Sequence, residues 1–151
     1  MGPILSEAAA EMAHEMRGDL AHDIAWTTLG EYLAYLEARG VSPNVASFVG
    51  AGTVRANAIG LENRLATPAE LEHMRAQVRQ AMDEGAMGLA SALIYVPSCF
   101  YTTDELIALA EVAAACGGLY ISHLRDEADQ LLEALDAFLT IARRAGARAE
   151  V

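Results

Sequence analysis

His123 carries the densest chemistry in the sequence. Ser122 precedes it, and Arg125, Asp126 and Glu127 follow within four residues. An imidazole can ligate a divalent metal, act as a general base, or pack as a satisfied ring, and residue types alone leave those three readings open. A ligating histidine needs a hydrogen-bond partner on its second nitrogen, and the next loop offers two carboxylates. Arg125 could grip a substrate carboxylate through two parallel bonds. It could equally pair with Asp126 or a neighbouring loop. One histidine does not hold a catalytic zinc, which normally takes three protein ligands.

Other chemistry-bearing residues are weaker candidates. Cys99 lies in a loop where it could bind metal, although lone cysteines are usually inert. With Cys116 it makes only two cysteines, too few for a disulfide framework. Asp19, His22 and Asp23 cluster without a second histidine at ligand spacing, and read as a solvated loop. Gly50 and Gly52 suggest a nucleotide fingerprint, but position 55 is Arg55 where the third glycine belongs. A tight strand-to-loop turn is the better reading there.

The elements that position these residues alternate regularly. Residues 6–16 are helix-compatible. Three Thr-x-x-Glu capping boxes open helices at Thr28, Thr67 and Thr102. The first runs to Gly40, with Leu29, Tyr32, Leu33 and Leu36 as its apolar stripe. The second carries Leu71, Met74, Val78 and Met82 on one face and closes at Gly85. The third carries Leu106, Leu109, Ala110 and Ala113 and stops at Gly117–Gly118. A last helix is expected over 129–145, with Leu132, Leu135, Leu139 and Ala142 inward. Strands are expected near 45–49, 86–91, 119–121 and 147–151. The run from Ala92 to Tyr101 is an apolar loop, which either walls a pocket or packs beneath another segment.

Strands alternating with helices imply a parallel sheet with right-handed crossovers. The fold class is therefore α/β, either doubly wound or a partial TIM-like (β/α) barrel of about four parallel strands. Both place chemistry at the carboxyl ends of the strands, where His123, Tyr95 and the Gly50–Arg55 turn fall. Four strands are half of a barrel, so the chain reads as a piece of a larger repeating unit.

The totals exclude some functions. The 151 residues are 54% hydrophobic, enough for one sizeable core. Ten basic against 21 acidic residues give a net charge of -11, which disfavours nucleic acid and anionic membranes. No apolar run reaches spanning length and no basic start precedes an apolar block, so a cytoplasmic location is the default expectation.

Gly88-Leu89-Ala90-Ser91-Ala92-Leu93-Ile94-Tyr95-Val96-Pro97, Thr103-Asp104-Glu105-Leu106 and Gly117-Gly118-Leu119-Tyr120-Ile121-Ser122-His123-Leu124-Arg125-Asp126-Glu127 resemble segments of the N-acyl-D-amino-acid deacylases (D-aminoacylases) of the amidohydrolase superfamily. Leu29-Gly30-Glu31-Tyr32-Leu33 and Gly50-Ala51-Gly52-Thr53-Val54-Arg55 look like the same family's preceding segments. The resemblance implies the central part of a (β/α)8 barrel over 1–151, roughly strands three to six, without the rest of the barrel or the family's small β-domain. It implies zinc as cofactor and a small N-acyl-D-amino acid as substrate. By this likeness His123 is the metal ligand at the end of the fifth barrel strand, and Ile94 and Tyr95 lie at the substrate pocket. The family's His-x-His pair, cysteine ligand and late aspartate have no counterpart, so the isolated chain is expected to be inactive. Ala51 stands where relatives often carry histidine, and Pro97-Ser98-Cys99-Phe100 replaces a Pro-Gly-type turn. Two other readings remain: a non-catalytic half-barrel that self-associates through exposed edges, and a small doubly wound binding domain of flavodoxin type.

Overall fold

The structure, a computed structural model, describes residues 26–151 and, before them, residues 6–8, 10, 11, 14 and 24. The Asp19, His22 and Asp23 cluster lies outside the described residues, as does much of the helix expected over 6–16.

Helix α1 spans Leu29–Arg39, capped by Thr28 and Glu31 in a reciprocal box and ended by Gly40 at φ 75°. Strand β1 is Val49–Gly50, and α2 follows at once over Ala51–Ala58. Helix α3 (Pro68–Asp83) starts with the Thr67 box and with proline in its first turn. Strand β2 is Gly88–Ala92. A short 3-10 turn over Ser98–Phe100 leads to α4 (Thr103–Ala115), which opens with the Thr102 box. Strand β3 is Leu119–His123, α5 is Leu131–Ala145, and β4 is Arg148–Glu150.

All strand pairings are parallel, and the sheet order is β1-β2-β3-β4. A doubly wound sheet reverses its strand order at a switch point, and this one does not. Strand order follows chain order, and consecutive helices pack side by side: α2 on α3, α3 on α4, α4 on α5. One layer of helices on one face of a sequentially ordered parallel sheet is an arc of a (β/α) barrel.

The two sheet faces differ as the period of a strand requires. Leu89 and Tyr120 are paired in register and fully buried, and the Tyr120 ring stacks on Phe138 of α5 at 5.6 Å. That face meets the helices. The other carries Gly50, Ala90, Ile121 and Glu150, aligned across the four strands. The start of β2 is unusually tight. Gly88 has φ 153°, and a Cβ there would lie 2.0 Å from the Leu119 carbonyl oxygen. Only glycine lets the two strands approach this closely.

Two sequence expectations fail. The Gly50–Arg55 stretch is not a turn: residues 51–58 form α2, whose start has no side-chain cap. Packing makes this helix, since Ala51, Val54, Arg55 and Ala56 are all buried. In α5 the phase is shifted. Ala134, Phe138, Ile141, Ala142 and Ala145 are its buried residues, while Leu132 is 77% exposed and Leu135 and Leu139 only flank the core.

A buried polar group ties the strand-end segments together. The fully buried Arg55 guanidinium donates to the carbonyls of Glu62 and Arg64, lies 3.9 Å from a Glu105 carboxylate oxygen, and sits 5.0 Å from the Tyr101 ring centre. The Tyr101 hydroxyl donates to the Ala51 carbonyl at 3.0 Å. Glu105 accepts from the Ala66 amide at 2.8 Å.

Burial holds both Tyr101 and Tyr120 above the ordinary tyrosine range. Their protons stay on in the folded chain when the unfolded chain begins to lose them near pH ~10. The contribution is thus complete below that pH and is lost as pH rises through the folded values. All ten basic residues are arginine, so no lysine titrates in the same window. Urea unfolding followed by circular dichroism should show stability falling above pH ~10. Tyr101→Phe should flatten part of that fall and cost about 1 kcal/mol at neutral pH, through loss of the bond to Ala51.

Candidate functional site

The carboxyl end of β3 delivers His123 to the rim, with its side chain 39% exposed. Its Nδ1 lies 2.9 Å from a Glu127 carboxylate oxygen, four residues on. The tautomer with the proton on Nδ1 makes this bond and leaves the Nε2 lone pair outward, free to ligate. The Tyr95 ring approaches His123 edge-on, with centroids 5.9 Å apart and planes at 81°. The Leu93 amide donates to the His123 carbonyl at 3.0 Å, so the β2 loop is hydrogen-bonded to the residue it flanks.

That loop performs both roles left open by its sequence. Leu93, Pro97 and Ser98 are buried beneath it, whereas Ile94, Tyr95 and Val96 are exposed. Its outer segment walls a pocket of about 470 Å³ over Gly50, Ala90 and Ala92. A second pocket of about 310 Å³ opens on the inner sheet face beside Ile121, His123 and Glu150. Tyr95 lines the first and His123 the second, and the two pockets meet over Ala90 and Ser91, which line both. Ile94, expected at the pocket, is 42% exposed and lines neither.

Arg125 is placed differently from the substrate-gripping expectation. Its Nη1 donates to the Cys99 carbonyl at 3.2 Å and its Nη2 to the Tyr101 carbonyl. Of the readings left open for it, the neighbouring-loop contact is the one the structure contains. Both terminal nitrogens hold the β2 loop, so Arg125 acts on the rim by positioning that loop. Asp126 is not its partner: one oxygen accepts from the Ala128 and Gln130 amides at 2.7 and 3.0 Å, closing the turn into α5.

Sequence reasoning missed the role of the serines. Ser91 bonds the Ser122 hydroxyl at 2.8 Å and the Tyr120 hydroxyl at 2.9 Å, and Ser122 donates to the His123 carbonyl. Ser122 thus fixes the backbone under His123 and does not touch its ring. The one available signal was that both serines fall on the buried face of their strands. Among the described residues, no three His, Cys, Asp or Glu side chains gather closely enough to hold a metal ion. Cys99 contributes its carbonyl to Arg125 and its thiol is a free, partly buried group. His123 fits as one arm of a metal site, with a carboxylate behind it and an open nitrogen in front.

No family model matches the chain. It is 35% identical over 113 residues to the D-aminoacylase of Alcaligenes xylosoxydans xylosoxydans, and 33% identical over 144 residues to that organism's N-acyl-D-glutamate deacylase. Those matches cover 75% and 95% of this chain. The chain belongs to the N-acyl-D-amino-acid deacylase family. It spans about a quarter of the length of these curated relatives, 23% and 28% respectively. A crystal structure of a D-aminoacylase, described as defining a subset of amidohydrolases, superposes with TM-score 0.79 and 30% identity, over 82% of this chain and 26% of that one. The N-acyl-D-glutamate deacylase of Bordetella bronchiseptica, solved with zinc and a phosphonate mimic of the tetrahedral intermediate, superposes with TM-score 0.83 and 30% identity. That match covers 99% of this chain and 31% of the other. The deacylase fold therefore accounts for the sequential sheet order and for the single helix layer. No helix among the described residues is long and apolar enough to cross a membrane.

Nitrogen-15 spectra of the His123 ring at a pH where it is neutral should show the proton on Nδ1. Glu127→Ala should move it largely to Nε2, the tautomer free imidazole prefers, and Glu127→Gln should restore Nδ1–H through its amide carbonyl. A wild-type ring protonated on Nε2 would contradict the arrangement.

Proposed function

We propose that this chain supplies one metal-ligand arm and part of the substrate wall of a zinc-dependent hydrolase that cleaves the amide bond of N-acyl-D-amino acids. The observation that carries the reading is His123, held at a strand's carboxyl end by Glu127 in a chain whose fold matches a zinc–phosphonate complex over nearly its whole length. His123 would bind zinc through Nε2, and the other ligands would come from outside the described residues. When bound, zinc polarises an amide carbonyl and lowers the pKa of water to about 7. The chain's own residues do the positioning. Glu127 fixes the ring, Tyr95 closes one side of it against solvent, and Arg125 pins the loop that bears Tyr95. Acyl group and D-amino acid leave as separate products, a carboxylate and an amine.

A chimera tests this directly. With residues 29–151 replacing the matching segment of the Alcaligenes D-aminoacylase, the zinc-loaded protein should hydrolyse N-acetyl-D-amino acids. His123→Ala in that chimera should lower kcat/KM by more than about 100-fold and weaken zinc binding. A folded chimera indifferent to His123→Ala would remove the assignment.

The 151-residue chain alone carries one ligand arm and leaves β1 and β4 unpaired on their outer edges among the described residues. Open parallel edges invite pairing with another chain. In isolation it is expected to self-associate in sedimentation runs and to show no zinc-dependent hydrolysis. Zinc-dependent turnover by a monomer would overturn both statements.

A further inference from the structure

The carboxyl end of β3 is held by more than the loop in front of it. Glu127 fixes the His123 ring, but its side chain is 53% exposed and sits in the segment that leads into α5. Behind the ring lie three buried hydroxyls. Tyr120 of β3 is fully buried, and Ser91 and Ser122 are 8% and 7% exposed. Strand periodicity puts all three on the face that meets the helices. The register places Ser91 directly opposite Ser122 across β2 and β3. Serine is mostly an exposed residue, and a buried hydroxyl is costly unless it is hydrogen-bonded. Two serines and a tyrosine hydroxyl nevertheless gather at the strand end that bears the histidine.

Each hydroxyl has a single proton, and the group at the end of the row fixes how the protons are used. The Ser122 hydroxyl donates to the His123 carbonyl at 3.0 Å, and a carbonyl only accepts. In its 2.8 Å contact with Ser91, Ser122 must therefore accept. Ser91 donates there, so in its 2.9 Å contact with Tyr120 it accepts, and the Tyr120 hydroxyl donates. The row runs one way, from Tyr120 through Ser91 and Ser122 to the His123 carbonyl. Hydrogen bonds in such a row polarise one another, so each strengthens the next. The same carbonyl accepts the Leu93 amide at 3.0 Å. Two donors thus fix it, one from the β2 loop and one at the end of the hydroxyl row.

We propose that Ser91 is a positioning residue for His123: from the neighbouring strand it orients the Ser122 hydroxyl, and so fixes the peptide plane from which the imidazole projects towards the metal. This rests on the deacylase reading and adds to it a residue that acts only through others. The ring is then held at two points. Glu127 sets its rotation from the solvent side, and the hydroxyl row sets its height from the core.

Two measurements test this. In NMR of the 151-residue chain, three-bond couplings should show one Ser122 side-chain rotamer in the wild type and in Ser91→Thr. Ser91→Ala should average that side chain over several rotamers and move the His123 carbonyl carbon upfield. Tyr120→Phe, which keeps the ring against Phe138, should move that carbon the same way by less. In the zinc-loaded chimera, Ser91→Ala should weaken zinc binding by about 10-fold and Ser91→Thr by less than about 2-fold, the first being the lower end of what partners behind a metal ligand contribute. Both are measured where circular dichroism shows the protein fully folded. A role in packing alone would lower the melting temperature of Ser91→Ala and leave its zinc affinity intact, and that result overturns the proposal. So does a Ser122 rotamer unchanged in Ser91→Ala. His123→Ala separates this failure from that of the deacylase reading. If it weakens zinc binding and Ser91→Ala does not, the reading stands and the positioning role falls. If His123→Ala leaves zinc affinity unchanged, the deacylase reading falls and the role of Ser91 with it.

Discussion

The rim depends on Tyr101. Its buried hydroxyl holds the first carbonyl of α2, its ring lies over the Arg55 guanidinium, and its own carbonyl accepts from Arg125 beyond β3. One residue thus connects segments that follow three successive strands. A parallel sheet has no hairpins to fix the relative heights of its loops. Side-chain contacts of this kind have to set them. The Arg55 guanidinium would be costly to bury alone, and Glu105, two carbonyls and an aromatic face together make its position tolerable. Nε and Nη1 of Arg55 still make no hydrogen bond among the described residues, so this centre is strongly constrained but not fully satisfied.

With the heights set, the rim carries two adjoining pockets that share Ala90 and Ser91. On one side lie small, uncharged residues, and on the other an imidazole, Glu127 and Glu150. The division follows from strand periodicity. Ala90 and Ala92 of β2 share the inner face with Ile121 and His123 of β3, because the register pairs Ala90 with Ile121 and Ala92 with His123. Slipping that register by one residue would turn His123 into the helix layer and Tyr120 out of it. The close approach of Gly88 to Leu119 opposes such a slip at the other end of the same two strands.

Much of the fold was legible because its signals are local. Each Thr-x-x-Glu box opened a helix where expected, and each strand came within a few residues of its apolar run. Helix α2 was hidden because nothing local makes it: Gly52 and Thr53 are weak helix formers, and no side chain caps its start. In α5 two apolar faces compete, and Phe138 wins by stacking on Tyr120, a contact 18 positions away that periodicity does not encode. The site was legible to the level of one residue. His123 sits at a strand end by pattern alone, and its partner Glu127 is one of the two carboxylates that the following loop offered. The engagement of Arg125 by backbone carbonyls was invisible, since carbonyls carry no sequence signature.

Glu105 links these two kinds of information. One of its oxygens accepts from the Thr102 amide and completes the start of α4; the other accepts from the Ala66 amide and faces Arg55. A helix end held only by its own cap can fray while the rest of a protein stays closed. Here fraying of the first turn of α4 withdraws the carboxylate from residue 66 and from the buried guanidinium at the same moment. The start of α4 is thereby coupled to residue 66 and to Arg55, so a single opening event is expected to expose the amides of both segments.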